Sequence, residues 1–136
     1  MKKLLIIVEK GKDGLYSVYS PNTEFTVLNG QGTTVDGAIS DMKEALQEII
    51  DSYRESGDEI PAELAGQIDF EYKYDVASLF SYFDEINLSS FARKNGMNES
   101  LLRKYKNGLA FASEKQCRKI ETGLHRLGKS LCAASL

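Results

Sequence analysis

Two groups of side chains in this sequence have the types and spacing to do chemistry. Glu9, Glu44, Glu48 and Asp51 are carboxylates of the kind that hold divalent ions for phosphodiester hydrolysis, which needs several of them converging on ions about 4 Å apart. Asn98, Glu99, Ser100, Arg103, Lys104, Lys106 and Asn107, with Arg93 and Lys94 just before them, are side chains that grip phosphates and read base edges. Other reactive groups are sparse. Cys117, Cys132 and the lone His125 are too few for a zinc site or a disulfide framework, so no metal and no other cofactor is expected.

The two groups lie in halves of opposite charge. The 136 residues carry a formal charge of -3, but residues 1–83 hold 7 Lys+Arg against 15 Asp+Glu, giving -8, and residues 84–136 hold 10 against 5, giving +5. Such a split points to different partners for the halves, with nucleic acid the candidate for the basic one. A content of 42% hydrophobic and 27% charged residues fits a folded globular chain rather than a disordered or collagen-like one. The opening Met1-Lys2-Lys3 followed by Leu4–Val8 imitates a signal peptide but is interrupted by Glu9, short of the roughly 7 to 15 apolar residues an export signal needs. No run reaches the ~18 apolar residues that span a bilayer. A cytoplasmic location is therefore expected, with no membrane partner.

Periodicity assigns the elements that must position these groups. Leu4–Val8 and Leu15–Tyr19 read as a hairpin around Gly11-Lys12-Asp13-Gly14, Phe25–Leu28 as a third strand, and Asn29–Gly32 as a loop. From Val35 to Tyr53 apolar residues recur at helical spacing, with Thr33 or Thr34 as N-cap and Gly57 as stop. Ile68, Phe70, Tyr72 and Tyr74 alternate with Asp69, Glu71, Lys73 and Asp75 in a fourth strand. The expected fold is α+β: a β-β-β-α-β antiparallel sheet with one long helix, then an all-helical part of short segments. The boundary falls near Asp75 to Ser78, dividing the chain into 1–75 and 76–136. Glu9 followed by Glu44, Glu48 and Asp51 on a β-β-β-α frame superficially resembles a ribonuclease H layout. The helical acids, however, fall on the face opposite the apolar stripe and Glu9 stands apart, so a solvated acidic face and no enzymatic activity is the expectation.

In the basic half, Phe91 and Ala92 form the apolar side of a short helix, Gly96 ends it, Met97 fills a turn, and Asn98 caps a second helix with Leu101, Leu102 and Tyr105 inward and Asn107-Gly108 at its end. In the last helix Cys117, Ile120, Leu124, Leu127 and Leu131 form a seam that packs either within its own domain or on a second copy, core packing being the expected use of Cys117. Cys132 is expected in a frayed tail and His125 on the surface.

The text from Phe91-Ala92 through Gly96-Met97-Asn98 and Tyr105-Lys106-Asn107-Gly108 to Ser113 and Ile120 resembles the Xre-type, phage-repressor helix-turn-helix family. The resemblance implies that Asn107 contacts a DNA phosphate, that Glu99, Ser100 and Lys104 face base edges, and that Arg103 lies nearer the backbone. Glu99 stands where many relatives carry a neutral polar residue; it either accepts from cytosine N4 or repels phosphate. Tyr16-Ser17-Val18-Tyr19-Ser20-Pro21 followed by Gly32-Thr33-Thr34-Val35-Asp36-Gly37-Ala38 and the long helix is similar to the HicB antitoxin family, whose N-terminal domain is a degenerate ribonuclease H-like fold. The sequence departs from that family's text in Pro21-Asn22-Thr23-Glu24 and in Gly37, which replaces an acid.

Together the resemblances imply an antitoxin: residues 1–75 neutralise a small basic HicA-like mRNA-cleaving toxin, and residues 76–136 bind operator DNA and autorepress the operon, as a homodimer or higher oligomer. Tyr16, Tyr19, Tyr72 and Tyr74 are either interface anchors or half-buried sheet residues. Two other functions stay open: a stand-alone transcriptional regulator whose N-terminal domain senses a ligand, and a small metal-dependent nuclease using the N-terminal carboxylates.

Overall fold

A computed structural model describes residues 2–21, 23 and 27–136. It is an α+β fold with a mixed four-stranded sheet and, among the described residues, five helices. By contacts the chain divides into two units, Met1–Ser78 and Leu79–Leu136. No charged residue lies between Val76 and Phe83, so the -8 and +5 charges divide the same way at this boundary.

In the first unit β1 (Lys2–Lys10), β2 (Tyr16–Tyr19) and β3 (Asn29–Gly32) are followed by α1 (Val35–Ser56) and β4 (Ile68–Tyr74). The sheet order is β3-β2-β1-β4. β2 is antiparallel to both β1 and β3, whereas β4 runs parallel to β1, its Phe70 opposite Leu4 and its Tyr74 opposite Val8. The wholly antiparallel sheet expected from the sequence is thus corrected, for a simple reason. Two antiparallel steps leave β3 pointing the same way as β1, and a helix about 33 Å long at 1.5 Å per residue carries the chain back before the next strand begins.

The third strand is also relocated. β3 occupies Asn29–Gly32, expected as a loop; Val27 and Leu28 belong to no strand, and Phe25 and Thr26 lie outside the described residues, as do Asn22 and Glu24. Glycine in a strand marks close backbone approach. A Cβ on Gly30 would collide with the backbone of Ala38 and Met42, and one on Gly32 would stand 2.7 Å from the Ala38 nitrogen, so α1 lies directly against β3. Asp41 of α1 accepts from the Gln31 amide at 2.9 Å, occupying a donor on this edge strand.

Ile6, Val8, Val18, Leu28, Val35, Ala38, Met42, Leu46 and Leu64 are buried in this unit. Thr34 is the N-cap of α1, its hydroxyl accepting from the Gly37 amide at 3.0 Å, and Gly57 closes the helix at φ 75°. Buried Ser78 donates to the Val8 carbonyl at 3.1 Å, while Asp75 accepts from the Ser78 amide at 2.8 Å and so caps α2 (Val76–Tyr82).

The second unit contains α3 (Leu88–Lys94), α4 (Glu99–Lys106) and α5 (Glu114–Ala133). Phe80 packs edge-on against Phe91 with ring centroids 5.7 Å apart, over buried Ala92, Leu102, Tyr105 and Ile120. At 20 residues α5 is longer than the expected short segments, and it carries Cys132 in its last turn rather than in a frayed tail. Cys117 is exposed, correcting its expected place in the core; the seam turns away from the core on that side, and Ile120 and Gly123 face inward instead. Among the described residues, no helix is long and apolar enough to cross a membrane.

Candidate nucleic-acid interface

The segment from α3 to α4 is fixed by the same backbone device used twice. Asn95 ends α3, Gly96 takes φ 62°, and the Met97 and Gly96 amides donate back to the carbonyls of Ala92 (2.8 Å) and Arg93 (3.3 Å). Twelve residues on, Asn107 ends α4, Gly108 takes φ 72°, and the Leu109 and Gly108 amides donate to Lys104 (2.9 Å) and Tyr105 (3.1 Å). Both are Schellman closures, which need a left-handed residue that glycine supplies without a Cβ clash. The starts are capped as regularly: Asn87, Asn98 and Ser113 accept from the Ser90, Leu101 and Gln116 amides.

The two Asn-Gly pairs put their amides to different uses. Asn95 donates to the Phe91 carbonyl at 2.8 Å and accepts from Arg126 of α5, while Lys119 of α5 donates to the Gly96 carbonyl at 2.9 Å. Asn95 fits because residue 123 is glycine. The Asn107 side chain is exposed and has no partner among the described residues. The sequence marks both positions with the same dipeptide, but only a tertiary neighbour distinguishes a structural asparagine from an open one.

The outer face of α4 follows from its inner one. Leu102 and Tyr105 are buried and Leu101 half-buried, which turns Ser100, Arg103, Lys104 and Asn107 outward. Ser100, Lys104 and Asn107, at i, i+4 and i+7, form one exposed stripe without side-chain partners among the described residues. Lys94 and half-buried Lys106 also lack an anionic partner there.

The arginines are tied back. Arg103 donates to the Ser89 hydroxyl at 2.7 Å, holding α4 to the first turn of α3, and Arg93 donates to Ser90 at 3.2 Å. Glu99, half-buried, lies 4.0 Å from Arg93 and 3.7 Å from Arg103. Its carboxylate is engaged by two guanidinium groups of its own chain. Asn98 is engaged as well, as the cap of α4. Of the seven sequence-derived residues, Ser100, Lys104 and Asn107 thus share an open stripe, Lys106 is half-buried on the flank toward Leu102, and Asn98, Glu99 and Arg103 build the scaffold. Leu109 and Phe111, exposed by 76% and 92%, follow the stripe directly and were not signalled by any charge or cap pattern.

Among the described residues, the carboxylates of the first unit do not form a comparable cluster. Glu44, Glu48 and Asp51 are exposed on the outer face of α1, and Glu9 accepts a hydrogen bond from the Tyr19 hydroxyl at 3.1 Å. Among the described residues no three His, Cys, Asp or Glu side chains converge as a metal site. Tyr16, Tyr19, Tyr72 and Tyr74 are half-buried. A groove of about 310 Å³ crosses β2 and β3 between Tyr19, Asn29, Gln31 and Asp41.

Comparison with protein-family models, with curated proteins and with solved structures gives no match.

Proposed function

We propose that this chain is a non-enzymatic DNA-binding antitoxin of the HicA/HicB type. In this reading the second unit is a helix-turn-helix domain that represses its own operon. The first is a degenerate, partial ribonuclease H-like domain that neutralises a small basic mRNA-cleaving toxin in the cytoplasm. The observation that carries the reading is the stripe of Ser100, Lys104 and Asn107 on a helix locked at both ends. A short helix whose core face is fully used, and whose open face offers a hydroxyl, an ammonium and an amide, has the chemistry of base edges and phosphates.

The charge division supports the pairing of partners. A unit of +5 attracts phosphate and releases counterions on binding, and a unit of -8 steers toward a cationic protein. The β-β-β-α-β order supports the ribonuclease H-like reading, and exposed Glu44, Glu48 and Asp51 supply negative surface without, among the described residues, a converging carboxylate cluster.

The test is co-purification with the small basic protein encoded beside it, together with repression of a reporter driven by the shared upstream DNA. Recovery of that protein in an inactive complex, with repression, is expected; neither occurring overturns the reading. The groove across β2 and β3 favours a second reading, a stand-alone regulator that senses a small ligand there. Repression without any neutralised neighbour selects that reading.

A further inference from the structure

The two Schellman closures end on apolar residues that are treated in opposite ways. After α3 the Met97 amide donates to the Ala92 carbonyl at 2.8 Å; Met97 is half-buried and Ala92 buried. After α4 the Leu109 amide donates to the Lys104 carbonyl at 2.9 Å, but Leu109 is 76% exposed and the residue it closes on is a lysine. An apolar residue at this place ordinarily packs on the last turns of its own helix. Leu109 is instead tied by its backbone to a member of the open stripe of Ser100, Lys104 and Asn107, with its side chain in solvent.

The chain continues in the same sense. Ala110 and Ala112 are half-buried while Phe111 is 92% exposed, so the small side chains turn in and the large ones turn out. The segment is pinned at both ends: Gly108 closes α4, the Ser113 hydroxyl caps α5, and the Cys117 thiol donates to the Ala112 carbonyl at 3.8 Å. Leu109 and Phe111 therefore sit on a loop with little ordering left to lose on binding.

Charge and position select what covers them. Residues 84–136 carry +5, and the apolar pair adjoins Lys104 and Asn107. Duplex DNA offers phosphates to those two side chains and, on its major-groove base edges, one apolar group, the thymine 5-methyl. We propose that Leu109 and Phe111 contact thymine methyl groups in the major groove, extending the α4 stripe with an apolar readout. This rests on the DNA-binding reading of α4 and adds a preference for thymine that the polar stripe does not supply.

Fluorescence anisotropy of the full chain compares duplex from upstream of its own reading frame with the same duplex made with deoxyuridine in place of thymidine. The exchange removes each 5-methyl and keeps every hydrogen-bonding group. The chain is expected to bind the deoxyuridine duplex about fourfold more weakly for each methyl covered. The double variant Leu109→Ser/Phe111→Ser, altered only at exposed positions, is expected to keep its circular dichroism spectrum and melting temperature and to bind both duplexes alike. Equal binding of the two duplexes by the unaltered chain overturns the thymine contact and leaves the DNA reading of α4 standing, as does a thymidine preference that survives in the double variant. Binding to neither duplex overturns both. A double variant that keeps the thymidine preference but no longer co-purifies with a small basic protein assigns the pair to a protein surface and overturns the contact as well.

Discussion

Asn95 and Gly123 occupy one space: a Cβ on residue 123 would stand 2.5 Å from Asn95 Oδ1, and the asparagine that fills that gap closes α3 and binds Arg126 of α5. The turn before α4 is therefore set by α5 as well as by local backbone preference. Gly123→Ala should destabilise the second unit by about 1–2 kcal/mol, the overpacking outweighing alanine's better helix propensity. Chemical denaturation measures this; a stabilised variant would mean that Asn95 swings out at no cost.

Gly108 has open space around it but a φ of 72°, so its requirement is conformational. Gly108→Ala should cost about 1–2 kcal/mol through left-handed strain alone. Gly108→Asn, which tolerates that region better, should recover part of the loss. Paired thermal melts with equal loss in both variants would contradict the closure described for α4.

Glu99 is held by Arg93 and Arg103 in a partly exposed cluster, where such pairs contribute little to stability. If the α4 face meets DNA, Glu99 restrains two cations and adds local negative charge. Glu99→Gln should then leave the melting temperature nearly unchanged and raise affinity for any duplex several-fold, with a steeper dependence on salt. Fluorescence anisotropy at several salt concentrations gives the slope. Weaker binding confined to one sequence would mean that Glu99 reads a base.

Tyr19 donates to Glu9, and that hydrogen bond, with lesser contributions from lost hydration and the carboxylate charge, raises its pKa above the ordinary 10.0. A folded-state pKa above the unfolded one favours the folded chain below the unfolded value, and this contribution is lost as pH rises through the raised value. Glu9→Gln should move the Tyr19 titration down toward the ordinary value, followed by NMR of labelled tyrosine. An unmoved titration would contradict the pairing.

Local signals in the sequence carried much of the fold. The apolar period and the Thr34 and Gly57 caps define α1, and strict alternation defines β4, because each depends on neighbours within a few residues. β3 escapes a local reading because Gly30 and Gly32 look like loop residues until α1 is laid across them, and the direction of β4 depends on where a helix returns the chain. In the candidate interface, residue types pointed to Glu99 and Arg103 as contacts. Their engagement with each other, Arg93 and Ser89 depends on the crossing of α3 and α4, which spacing alone does not encode.

We propose that the face of α4 carrying Ser100, Lys104 and Asn107 binds DNA. The most direct test is anisotropy titration of the full chain with duplex from upstream of its own reading frame and with a scrambled duplex. The expected preference for the upstream DNA is about 10³ or more, the usual range for a specific site. Asn107→Ala should weaken binding to both duplexes by a similar factor, whereas Lys104→Ala should reduce the preference itself. Equal affinity for the two duplexes, or full binding by both variants, would contradict it.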